Sequence, residues 1–207
     1  MATSTAPQPF DQRKRIRFLW AGGALVAAAM VLSDSAWSEA TGAHEAVEVA
    51  GIGLVFICIL GRLWSTLYIG SRKNQELATR GPYSMTRNPL YFFSTIGAAG
   101  VGLMFGSLFM GVLLAFITYR VFLLTAAREE AFLRGRFGRA YADYADRTPL
   151  FWPIPRLYED DAEVGFSPSA LKRTLLDGLY FLAIFPVLEL VEQLHFTGYL
   201  PYFLSLY

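Results

Sequence analysis

Cysteine and histidine are nearly missing from this chain, which has one cysteine and two histidines in 207 residues. The lone Cys58 excludes an internal disulfide and any multi-cysteine metal centre, and it leaves the redox compartment undetermined. His44 and His195 have no ligand partner at metal spacing along the chain, so they read as ordinary surface histidines and no metal site is expected. Charge is scarce too. Asp, Glu, Lys and Arg make up 17% of the chain, against about 25% in soluble domains. The net charge of +1 gives no bulk case for nucleic acid or an acidic partner.

Apolar residues fill the space left: 54% are hydrophobic and 15% aromatic. They gather into long runs, as in an integral membrane protein. Residues 1–12 have little to bury and read as a disordered tail; 13–207 reads as one membrane domain. The runs are Phe18–Ser33, Ala46–Ile69, Leu90–Phe105, Leu108–Ala127 and Thr174–Leu194. The expected fold is therefore all-α, with about five transmembrane helices. The first run ends in acidic Asp34-Ser35-Ala36-Trp37, not a small-residue cleavage site, and reads as a retained span. The tail Phe196–Tyr207 is too short to cross about 30 Å of hydrocarbon and is expected at the interface. Only Gly106-Ser107 separates the third and fourth runs, so these should form a tight hairpin, with Gly102 and Gly106 permitting close backbone approach. The string GAAGVG in the third run is not G-x-G-x-x-G and follows no strand, so it reads as helix packing.

Basic residues set an orientation. Arg13, Lys14, Arg15 and Arg17 precede the first run, segments 70–89 and 128–173 carry most of the others, and segment 34–50 is acidic without Lys or Arg. The positive-inside rule puts the N-terminus and both basic segments in the cytoplasm, on one membrane face.

Those two segments hold the polar chemistry. The first reads Gln75-Glu76-Leu77-Ala78-Thr79-Arg80-Gly81-Pro82-Tyr83-Ser84-Met85-Thr86-Arg87-Asn88-Pro89-Leu90-Tyr91. Gly81-Pro82 is turn chemistry. Asn88-Pro89 reads as an N-cap and a first-turn proline, and Arg87 beside that helix N-terminus suits a carboxylate. The second segment continues the fourth helix from Arg128. Glu129 and Glu130 are paired acids at the membrane exit, and Glu130 has Arg134 at i,i+4. Phe132, Leu133 and Phe137 suit the headgroup region, with Tyr141 and Tyr144 near one face.

The arrangement G-P-Y-x-x-x-R-N-P-x-Y, a membrane hairpin, then E-E-x-x-x-x-x-x-F-G-x-x-Y-x-x-Y with a proline-rich stop resembles the isoprenylcysteine carboxyl methyltransferase family and the related phospholipid N-methyltransferases. The resemblance covers about 60–158, with 174–207 as an extra C-terminal span and tail. It implies S-adenosylmethionine as cofactor, held at Gln75, Glu76, Leu77, Ala78, Tyr83, Asn88, Pro89, Leu90, Tyr91, Glu129 and Glu130. Arg87 at the helix corner suits the cofactor's carboxylate, and aromatic faces such as Tyr83 or Tyr91 suit its sulfonium. Many relatives carry histidine where this chain has Asn88, which excludes a histidine base there.

The implied acceptor is a lipidic or prenylated substrate taken from the bilayer: a prenylcysteine carboxylate, a phospholipid amine or a small isoprenoid. A carboxylate needs no base. An amine must lose a proton, for which Glu130 is the candidate. Arg120, within the fourth run, either attracts an anionic substrate group or snorkels to the interface; Arg62 reads as a snorkelling anchor. Two other readings stand beside the enzyme: a membrane scaffold or assembly subunit retaining the fold, and a sterol-reductase-like protein using NADPH.

Overall fold

The computed structural model describes residues 32–35, 42–69, 76–201 and 204–206. The N-terminal tail, the basic cluster, most of the expected first span and Gln75 lie outside the described residues. The rest is almost wholly helical: α1 Ala43–Ile69, α2 Pro82–Met85, α3 Pro89–Met104, α4 Leu108–Phe137, α5 Arg139–Arg147 and α6 Pro168–Phe196, with a 3₁₀ turn at Pro155–Leu157. Among the described residues three helices, α1, α4 and α6, are long and apolar enough to cross a membrane, and α3 is a shorter apolar helix. The chain is an all-helical integral membrane protein. Among the described residues the other regular element is a three-residue parallel pairing of Ser33–Ser35 with Leu204–Leu206, which puts part of the expected interfacial tail beside the segment after the first run.

Helix α3 is the centre of the bundle because its glycines let neighbours come close. A Cβ on Gly100 would lie 2.7 Å from the Gly51 carbonyl of α1, and one on Gly102 would collide with the Met110–Gly111 backbone of α4. Gly102 thus has the expected packing role. Gly106, with a φ of 71°, is the turn residue, and Ser107 beside it caps α4 by accepting from the Met110 N–H at 3.2 Å. Val55, Ile59 and Met104 form the buried centre, covered by Phe181, Leu182, Phe185 and Leu188 of α6. Arg62, expected to snorkel, instead donates to Ser94 of α3 at 2.5 Å.

Helix α4 runs 30 residues. About 20 residues, Leu108 to Ala127, suffice for 30 Å of hydrocarbon, so its last turns, with Glu129 and Glu130, project beyond it. Gly138, at φ 54°, ends α4 and starts α5.

Candidate functional site

The corner before α3 is held by the segment after α5. Arg87 N–H donates to the Pro149 carbonyl (2.9 Å), Ile154 N–H to Met85 (3.0 Å) and Gly81 N–H to Glu159 (2.7 Å). The buried Thr86 hydroxyl donates to the Phe151 carbonyl at 2.9 Å, and Glu159 N–H donates to the Ser84 hydroxyl at 2.9 Å. Prolines 149, 153 and 155 keep this return segment out of a helix, leaving its backbone to pair with 81–87. Asn88 belongs to the same lacing. It precedes α3 as expected, but its side chain makes no cap bond; Nδ2 donates instead to the Leu150 carbonyl at 2.9 Å. The α3 start relies on Pro89 and on the Asn88 carbonyl, which accepts from Tyr91 and Phe92 N–H.

This lacing and the α3–α4 hairpin set the two polar segments across a cleft of about 420 Å³. Each expected cofactor residue within the described chain lines it. Glu76, Leu77 and Ala78 come from the entry segment, Tyr83 and Arg87 from the corner, Asn88, Pro89, Leu90 and Tyr91 from the α3 start, and Glu129 and Glu130 from α4. Phe132, Leu133 and Phe137, assigned from sequence to the headgroup region, also line the cleft, as do Tyr141 and Tyr144. Their signal was the spacing. Glu130, Leu133 and Phe137 fall at i, i+3 and i+7, one helix face.

Glu130 Oε1 accepts from Arg87 Nη1 at 3.0 Å and from Arg134 Nη2 at 2.8 Å and Nε at 3.1 Å. Its Oε2 takes none of these bonds. Desolvation works against the charged form, but hydrogen bonds from Arg134 and Arg87 outweigh it and hold the carboxyl below its usual range. A carboxylate so held is a poor proton acceptor. Arg87 has the reciprocal shift: burial works against its charge, yet bonds to Tyr141 and Glu130 raise its pKa. Glu129 accepts instead from a neutral donor, the Tyr91 hydroxyl, at 2.8 Å.

Two buried polar atoms in the cleft wall have no hydrogen-bond partner: the Tyr83 hydroxyl and Arg87 Nε. Tyr83 is 5% exposed, and burial, then the negative ends of Tyr144, Glu129 and Tyr91, push its hydroxyl far upward. It is a buried neutral donor, for which an unmade bond is costly.

Arg120 is elsewhere. It is exposed on α4, does not line the cleft, and lies about 15 Å along the helix from Glu130. Its neighbour Tyr119 packs on Phe151 at 4.8 Å and Trp152 at 5.6 Å between ring centres. His44 corrects the sequence reading. Expected to lack a ligand partner, it stands 3.3 Å from both Glu48 and Glu192. His195, expected on the surface, is buried.

A family model described as phospholipid methyltransferase matches residues 48–140. Over 97% of its length the chain is 33% identical to the nickel-cobalt-cadmium resistance protein NccN of Alcaligenes xylosoxydans xylosoxydans, covering 95% of that protein. It is also 33% identical to the cobalt-zinc-cadmium resistance protein CzcN of Cupriavidus metallidurans, over 95% of this chain and 90% of the relative. A partial match, 31% identical over 47% of this chain and 50% of the relative, is to protein-S-isoprenylcysteine O-methyltransferase B of Arabidopsis thaliana. No solved structure matches.

Proposed function

We propose, for a chain that belongs to the phospholipid and isoprenylcysteine methyltransferase family, that it is an S-adenosylmethionine-dependent methyltransferase acting on a lipidic or prenylated substrate from the bilayer. The observation that carries this is the buried, unpartnered Tyr83 hydroxyl in a cleft walled by Arg87, Glu129 and Glu130. These residues fit the cofactor's groups. Tyr83 and Arg87 Nε are donors for a carboxylate, while Glu129 and Glu130 Oε2 are acceptors for an ammonium or ribose hydroxyls. When bound, S-adenosylmethionine supplies an electrophilic methyl group on a cationic sulfur.

The chain's residues bind and orient more than they move protons. Arg87 and Arg134 fix Glu130, Tyr91 fixes Glu129, and Phe132, Leu133 and Phe137 exclude water. A carboxylate acceptor fits this site better than an amine, because the two arginines weaken Glu130 as a base. Basic segments 70–89 and 128–173 favour a cytoplasmic cleft, in the inner membrane if the source is bacterial. Near-full-length similarity to proteins named for nickel, cobalt, zinc and cadmium resistance suggests a setting in divalent-metal tolerance. Those names, which carry no methyl transfer, also favour a second reading: a non-catalytic membrane subunit.

Membranes containing the full chain, incubated with methyl-labelled S-adenosylmethionine and analysed by lipid and peptide mass spectrometry, separate the readings. A labelled lipidic product lost in Glu129→Ala is expected. Equal labelling with and without the chain would contradict the enzyme and support the subunit.

A further inference from the structure

At the other end of α1 from the cleft, two helices bring metal-ligating atoms together. His44 and Glu48 are one turn apart on one face of α1, and Glu192 reaches them from near the C-terminus of α6. His44 Nε2 lies 3.3 Å from Glu48 Oε1 and 3.3 Å from Glu192 Oε1. Donor atoms from all three residues lie within 4.8 Å of one another. Donors about 2.1 Å from one tetrahedral ion stand roughly 3.4 Å apart, which the two 3.3 Å spacings match, and the remaining pair lies within 4.8 Å. The end of α1 that lines the methyltransferase cleft, Ile69, is about 37 Å from His44 along the helix.

Charge points the same way. The three residues line a cleft of about 440 Å³ together with Glu45 and Glu189, and no Lys or Arg is among its described lining residues. One imidazolium offsets only one of four carboxylates gathered there, whereas a divalent cation offsets two. The C-terminal end of α6 adds partial negative charge. An imidazole with carboxylates suits zinc, cobalt or nickel, against the oxygen-only shells of magnesium and the sulfur shells of copper(I). The cleft has room for solvent to complete a shell that three side chains leave incomplete.

We propose that His44, Glu48 and Glu192 bind one divalent transition-metal ion, tying the start of α1 to the end of α6. The donor set stands apart from the methyltransferase reading; only the choice of ions to test rests on the proposed setting in metal tolerance.

The test uses the full chain in detergent, purified with an affinity tag free of histidine and titrated with CoCl₂ by visible absorption. One cobalt per chain is expected, with the intense bands of a four- or five-coordinate ion, displaced by ZnCl₂ and indifferent to MgCl₂. His44→Gln and Glu192→Gln should each weaken binding about 10-fold or more. Glu192 is 40% exposed, so its variant tests the site even if His44→Gln fails to fold. Titration of the same samples with S-adenosylmethionine should be unchanged by either variant, which separates failure of this site from failure of the cleft. Absence of cobalt bands in the wild type, or affinity unchanged in Glu192→Gln, would overturn the proposal.

Discussion

Arg87 and Glu130, 43 residues apart in sequence, meet as a 3.0 Å ion pair across the mouth of a membrane hairpin. One partner leads into α3 and the other lies on α4 where it leaves the hydrocarbon. The pair therefore reports whether the two polar segments are in register.

Its contribution should depend on pH. Glu130's carboxyl is held below its usual range in the folded chain. The stability it gives is then present above the unfolded carboxyl pKa of about 4.3 and is lost as pH falls through the lower folded value. Glu130→Gln should cost about 1 kcal/mol at neutral pH. Wild type and variant should converge on acidification. Thermal unfolding in detergent at several pH values measures this; a gap that widens in acid would refute it.

Asn88 gives a test of local geometry. If its side chain capped α3, Asn88→Asp would be neutral, since Asp caps as well as Asn. With Nδ2 donating to the Leu150 carbonyl, the variant sets a carboxylate against a carbonyl. A loss of about 1 to 3 kcal/mol is expected, from the unmade bond and the repulsion. Denaturant or thermal unfolding decides between the two.

The hairpin makes a paired prediction about glycine. Gly102→Ala puts a methyl group into the backbone of Met110 and Gly111 and should destabilise by about 1 to 3 kcal/mol. Gly135→Ala, at a site on α4 with nothing within 4 Å, should instead stabilise by about 0.5 to 1 kcal/mol through helix propensity. Unfolding curves of the two variants should move in opposite directions.

Tyr83→Phe removes a buried donor that has no partner. The apo protein should lose nothing and gain up to about 1 kcal/mol, while affinity for S-adenosylmethionine should fall about 10-fold. Loss of stability with binding unchanged would mean the hydroxyl serves the fold and not a ligand.

The apolar runs anticipated the described helices to within a few residues at most ends, because membrane-spanning length and hydropathy are local properties. Helix α4 is the instructive case. Hydropathy stops near Ala127, but helix continues to Phe137, since helix formers carry it on until Gly138 takes a positive φ. The eleven expected residues that line the cleft come together because both segments flank a short hairpin, and that chain proximity was legible. Roles within the cleft were less so. Nothing local announced that Asn88 would bond Leu150, since that partner belongs to a return segment placed by prolines. Glu48 stands at i,i+4 to His44, a spacing that the sequence reading passed over as a ligand pair. Glu192, which gives that spacing meaning, comes from the other end of the chain, and only the packing of α6 on α1 brings it there. The tie between Ser33–Ser35 and Leu204–Leu206 had no sequence signal, because three residues are too few to read a strand pattern from and Ser33-Asp34-Ser35 is wholly polar.

Calorimetric titration of the detergent-purified full chain with S-adenosylmethionine, beside NADPH and with Glu129→Ala in parallel, tests the central claim most directly. One S-adenosylmethionine per chain, weakened in Glu129→Ala, and no heat from NADPH is the predicted result. Saturable binding of NADPH, or no binding of S-adenosylmethionine by the folded wild type, would contradict it.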